Sequence, residues 1–185
     1  MQSLRGQLIL DGGKLAGSPF QHTVVLICSH DPEGAFGLVL NRPTEEKMED
    51  CLAETLPESM KMLPLYLGGP VRRQALTCLI HDPANDDTTE ETVLPGLRFT
   101  HNLSELLEPG GDLAPSIRVK FFAGYAGWAP GQLDSEMKEG AWLTHPASLD
   151  LVFHSAPEQL WKTILRVKGP GYRLLAESPE DVSHN

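Results

Sequence analysis

The chain has 185 residues and a formal net charge of −10, from 15 basic and 25 acidic side chains. That length suits one domain with its own core, and that charge repels phosphate backbones and anionic bilayers. With 17 glycines and 15 prolines, many turns and short elements are expected rather than a helical bundle.

In chain order, Leu8–Leu10 predicts a first strand, and its shortness excludes a signal-peptide core. The β-branched run Thr23–Cys28 predicts a strand buried on both faces. Phe36–Leu40 follows the turn Asp31–Gly34, so the two form a hairpin. Thr44 is placed to cap a helix carrying Met48, Cys51, Leu52 and Leu56, which Pro57 stops. Leu65–Leu67 and Ala75–His81 read as strands around the Gly68–Gly69–Pro70 turn, and the acidic stretch from Asp82 to Thr92 as an exposed loop. Asn102 and Glu105 make a capping box for a short helix to Glu108. Ile117–Phe122 alternates apolar and basic residues, which predicts a strand with one wet face. Pro130–Glu139 is the clearest helix, with Gly140 at its stop. Leu149–Phe153 reads as a strand. Ser155 and Glu158 then box a helix to Lys168, with Leu160, Trp161, Ile164 and Leu165 on its buried face. These elements mix without a βαβ rhythm. One α+β domain over residues 1–176 is expected, with a mixed or largely antiparallel sheet and a frayed tail at 177–185.

Chemical motifs are sparse. Cys28, Cys51 and Cys78 are too few for a disulfide framework. Strand alternation puts Cys28 and His30 on one face but Cys78 and His81 on opposite faces, so no metal site is expected. There is no Gly-x-Ser-x-Gly elbow, P-loop or Gly-x-Gly-x-x-Gly turn, so no catalytic residue and no cofactor are assigned. Lys162 and Arg166 lie opposite the apolar stripe of their helix and read as a solvated face. Ser29–Pro32 and Ile80–Pro83 share His-Asp-Pro, which predicts the same turn chemistry twice. The segment Phe122–Trp142 gathers two Trp, one Tyr and several Gly at a helix entrance, either an aromatic-walled pocket or a packed corner. The turns at Asn41–Pro43, Gly68–Pro70 and Gly124–Trp128 each follow a strand. They are expected to gather at one sheet edge, offering Asn41, Arg42, Gly69, Trp128, Gln132 and Glu136 to a ligand or partner.

The stretches LRGQLIL, FQHTVVLICSHDPEGAFGLVLNRP, LYLGGPV and FAGYAGWAPGQLDSEMKEGAW, with the later DLVF and LW, stand in the order and spacing of one family. By them the chain resembles the YqgE/AlgH family of small bacterial proteins. The resemblance implies a single α+β domain with a bent, pseudo-barrel sheet and flanking helices. It also implies a transcriptional-regulator label, attached through one branch's role in alginate synthesis, and brings no catalytic residues with it. The chain departs from many members at Asp11-Gly12-Gly13, where they have Ala-x-Pro. The function expected is that of a cytoplasmic, non-enzymatic regulatory or binding protein. It would act through a protein partner or small ligand, without specific DNA binding of its own. The alternative is an enzyme of unrecognised type at the Asn41, Gly69 and Trp128 turns.

Overall fold

Apolar runs broken by glycine and proline keep each element short, and pairing rather than length builds the domain. The computed structural model describes residues 2–52, 56–84, 88–103 and 113–177. Among them the strands are β1 (Gln7–Asp11), β2 (Val24–Asp31), β3 (Gly34–Val39), β4 (Pro43–Lys47), β5 (Pro64–Leu67), β6 (Val71–His81), β7 (Thr92–Leu94), β8 (Leu97–Thr100), β9 (Arg118–Trp128) and β10 (Trp142–Pro146). The helices are α1 (Met48–Leu52), α2 (Glu58–Lys61), α3 (Gln132–Lys138), α4 (Leu149–Val152), α5 (Leu160–Lys168) and α6 (Pro170–Glu177). None of them is long and apolar enough to cross a membrane.

The strand order is β10-β1-β2-β3-β9-β6-β8-β7, with β4 and β5 as a side ribbon. Every pairing is antiparallel except β5 with β9. The sheet bends until β7 packs against β2. Arg5 ties that approach by donating from Nε to Cys28 O at 2.9 Å and from a terminal nitrogen to Glu90 O. The outcome is the single α+β domain with a bent, largely antiparallel sheet.

Period-two alternation divides the core between the sheet's two faces. Leu8, Leu10, Leu26, Leu38 and Phe122 face one side, where Trp161, Ile164 and Leu165 of α5 cover them. Ile9, Val25, Val39, Trp128 and Trp142 face the other, under Leu133 of α3. A third cluster joins Met48 and Met60 to Phe121 and Ile80. Strand β9 organises all this. Its first half pairs with both β5 and β6, and its second half with β3.

Several local expectations are corrected. Thr44 does not cap a helix. It lies in β4, held by pairing with β5, and its hydroxyl donates to Leu65 O at 3.0 Å. Asp50 instead accepts the Lys47 N–H at the start of α1, at 2.7 Å. The expected strand Leu149–Phe153 is instead the helix α4 closed by Phe153, because Ser148 caps it by accepting from Leu151 N. A short apolar run fits either state, and the cap decides. The Ser155–Glu158 box does not form. A 3-10 turn at Pro157–Gln159 leads into α5 instead. A register slip at Cys28 moves His30 to the opposite face from Cys28. Lys120 of the supposed wet face is buried. The helix expected at 102–108 falls mostly outside the described residues. The repeated His-Asp-Pro turns do share their chemistry: Asp31 accepts from Glu33 N at 2.8 Å and Asp82 from Ala84 N at 2.9 Å.

Candidate functional site

The turns at Asn41–Pro43 and Gly68–Pro70 adjoin, because Leu67 N donates to Arg42 O at 2.8 Å and Val39 N to Gly68 O at 2.9 Å. Gly69 is pressed onto β9: a Cβ there would lie 2.1 Å from Tyr125 C and 2.4 Å from Ala126 N. Trp128 stands elsewhere. It pairs with Ala35 at the start of β3, whereas Asn41 follows the end of that strand. Six residues of extended chain separate Ala35 from Asn41, roughly 20 Å.

Most polar atoms of these residues meet partners within the protein. Asn41 Oδ1 accepts from Val24 N at 2.8 Å, and its Nδ2 donates to His22 O at 2.9 Å. Arg42 donates to Gln21 O at 3.0 Å, and burial lowers its pKa. Glu136 Oε2 accepts both indole N–H groups, from Trp128 at 2.9 Å and Trp142 at 2.7 Å. Its Oε1 accepts from Gln132 Nε2 at 2.9 Å, and Gln132 Oε1 caps Ala129 N at 3.0 Å. Phe20 closes this corner, stacked on Trp128 and edge-on to Trp142. Asn41 and Glu136 thus spend their polar atoms on internal hydrogen bonds, whereas Arg42 commits one nitrogen and Gln132 stays exposed at the start of α3.

Two of the three thiols, Cys28 and Cys78, are buried, whereas Cys51 is exposed. Burial pushes Cys28 far above the ordinary thiol range and Cys78 to about 12, so neither supplies a thiolate. They belong to different core clusters. His30 is buried, accepts Leu4 N at Nδ1 at 3.1 Å, and places Nε2 3.5 Å from Asp134 of α3. Among the described residues no group of three His, Cys, Asp or Glu side chains gathers as a metal site would require.

An open cavity lies at the middle of β6. Between Val71 and Leu76 the register with β9 slips, so residues 72–75 arch out of the ladder while Arg73 Cα still lies over Gly124. Arg72 takes a left-handed φ of 44°, a conformation that disfavours any side chain bearing Cβ. The arch leaves a cavity of about 570 Å³ lined by Phe36, Arg72, Ala75, Leu76, His101 and Tyr125. Its aromatic rings form one cluster. Phe36 lies 5.2 Å from Tyr125, 5.3 Å from Phe99 and 5.4 Å from His101, centroid to centroid. His101 is held by a 3.0 Å hydrogen bond between its Nδ1 and Thr77 Oγ1. Arg72 is exposed, and among the described residues no carboxylate pairs with it. The volume, the flat apolar walls and a cation at the rim suit a small planar ligand with an anionic group.

The sequence puts Tyr125 in an unusual segment but joins neither it nor Arg72 to Phe36 or His101. One signal was available. The polar run Arg72-Arg73-Gln74 stands directly before the apolar part of β6, where an uninterrupted central strand would not place it.

Comparison with known proteins agrees with this architecture. A family model described as AlgH-like matches residues 8–173. A UPF0301 protein of Chlorobium luteolum is 38% identical over 179 residues, covering 95% of this chain and 91% of the relative. Another from Rhodococcus opacus is 34% identical over 186 residues, covering 97% and 90%. The solution structure of the AlgH protein from Pseudomonas aeruginosa superposes with a TM-score of 0.70 at 26% identity, over 98% of this chain and 97% of that one. A crystal structure from Corynebacterium diphtheriae shares the fold at 21% identity, with a TM-score of 0.74 over 96% and 93%. The match runs through nearly the whole domain, in sequence and in structure, and the chain belongs to the AlgH-like family.

Proposed function

We propose that this protein is a non-enzymatic binding protein whose ligand is a small planar molecule with an anionic group, held in the cavity at the β6 arch. The observation that carries the reading is the arch itself. A strained, non-glycine residue interrupts a central strand and leaves an aromatic-walled space of about 570 Å³. Bulges that re-aim side chains and strained backbone are both enriched at binding sites. Phe36 and Tyr125 supply flat faces, His101 an edge, and Arg72 the charge that orients the ligand.

Binding rather than turnover is favoured because the described lining residues include no Ser or Cys nucleophile and no carboxylate. A regulatory role would run through a protein partner, since a net charge of −10 opposes direct contact with DNA.

Titration calorimetry with benzoate, indole carboxylates and their neutral amides tests the reading. Aromatic anions should bind, and their amides should bind about 10–100-fold more weakly, as expected for loss of a charged hydrogen bond. Arg72→Ala should erase that preference, and Tyr125→Ala should weaken both classes. Binding that ignores both substitutions, or none tighter than millimolar, would overturn it.

A further inference from the structure

Strand β9 buries a cation. Lys120 is 6% exposed, with its Nζ 3.0 Å from Leu40 O, 3.1 Å from Val152 O and 4.0 Å from the centre of the Tyr66 ring. Among the described residues no carboxylate pairs with it. Two carbonyls and an aromatic face favour the ammonium, but removing it from water without a counter-ion costs more. Burial therefore pulls the pKa down to about 7. An amine that has lost one proton still satisfies both carbonyls with its two remaining N–H bonds. Its lone pair takes the remaining direction.

A second cavity, separate from the β6 arch, has Lys120 in its lining. It measures about 160 Å³, room for roughly five water-sized groups. Leu63, Pro64 and Phe153 make it largely apolar, and Tyr66 and His154 add two polar tips. Burial and Glu158 raise the Tyr66 pKa, so its phenol stays neutral. His154 is fixed through Nδ1 on the Ala156 backbone, at 3.0 Å from O and 3.1 Å from N.

We propose that Lys120 is a carbonyl-capture site, whose Nζ condenses with a small uncharged aliphatic aldehyde to form a Schiff base. The neutral Nζ attacks the carbonyl carbon, and one of its two protons passes to the carbonyl oxygen to give the carbinolamine. The carbinolamine then loses that oxygen as water while Nζ releases its proton, so one aldehyde and one amine give one imine and one water. The apolar lining admits an uncharged chain, refuses carboxylates, and limits the water that would reverse the reaction.

The test treats the native full-length chain with propanal and cyanoborohydride at pH 7, then follows propylation of each lysine by peptide mass spectrometry. An ordinary lysine, with a pKa near 10.4, is less than about 0.1% free amine at that pH. Lys120 should therefore be modified about tenfold or more faster than Lys14, Lys47, Lys61, Lys138, Lys162 or Lys168, even through a narrow opening. The advantage should vanish in unfolding urea and narrow at pH 9 as the other amines deprotonate. Lys120 modified no faster than the exposed lysines, or left unmodified, would mean that the amine is only a clamp between β3 and α4. A preference that survives unfolding would equally overturn the proposal, because it would not come from the cavity.

Discussion

Replacing Trp161 by alanine should remove the main anchor between α5 and the sheet. Trp161 is 3% exposed, donates its indole N–H to Asp11 O at 3.0 Å, and lies with its ring 4.2 Å from that of His22, a residue held at a positive φ of 55°. Truncating a large buried aromatic costs about 3–5 kcal/mol through lost transfer energy and the cavity left behind. Asp11 O also loses its donor, which places the expectation in the upper half of that range. Trp161→Phe keeps most of the apolar area and should cost only about 1–2 kcal/mol, the share of the hydrogen bond. Urea unfolding followed by circular dichroism reads both. With a slope of about 2 kcal/mol per molar, alanine should lower the midpoint by roughly 2 M at unchanged slope. A midpoint that moves by less than the phenylalanine variant's would show that α5 is not held through this indole, and the account of the main core would fail.

Three further outcomes are expected. The folded Lys120 pKa lies below its unfolded value, so between about 7 and 10.5 the unfolded chain binds the extra proton and stability rises with pH. From pH 7 to 9.5 the wild type should gain about 3 kcal/mol relative to Lys120→Met, measured as urea midpoints, and parallel curves would contradict the burial argument. Asn41→Ala leaves Val24 N and His22 O unpaired and should cost about 2–3 kcal/mol in thermal unfolding, without changing the affinity of an aromatic anion. Gly69→Ala drives a Cβ into the Tyr125–Ala126 peptide and should cost about 3 kcal/mol or more, and a stable variant would mean that this turn can move off β9.

Much of the fold was legible because local pattern and final environment agree. The run Val24–Cys28 is apolar at every position and becomes a strand covered on both faces. Leu160, Trp161, Ile164 and Leu165 repeat at helical spacing and become the buried stripe of α5. Legibility failed where a distant element decides. Nothing near Thr44 announces that β5 will pair with it, and nothing near Lys120 announces that Leu40 and Val152 will offer it carbonyls. The site residues divide in the same way. The aromatic corner around Trp128 was visible as composition, but which side chains are spent on internal hydrogen bonds depends on partners far along the chain. The β6 cavity depends on a register slip between two strands some fifty residues apart and on His101 from a third segment, and local periodicity carries neither.

Mapping a bound aromatic carboxylate on the folded protein by backbone amide chemical shifts tests the central claim most directly. A saturable titration should move the amides of Phe36, Ala75, Leu76, His101 and Tyr125, and leave those of Asn41, Gln132 and Glu136 in place. Saturable shifts centred on Asn41 or Trp128 instead, or no shifts at all with any aromatic anion, would contradict the assignment of the β6 arch as the binding site.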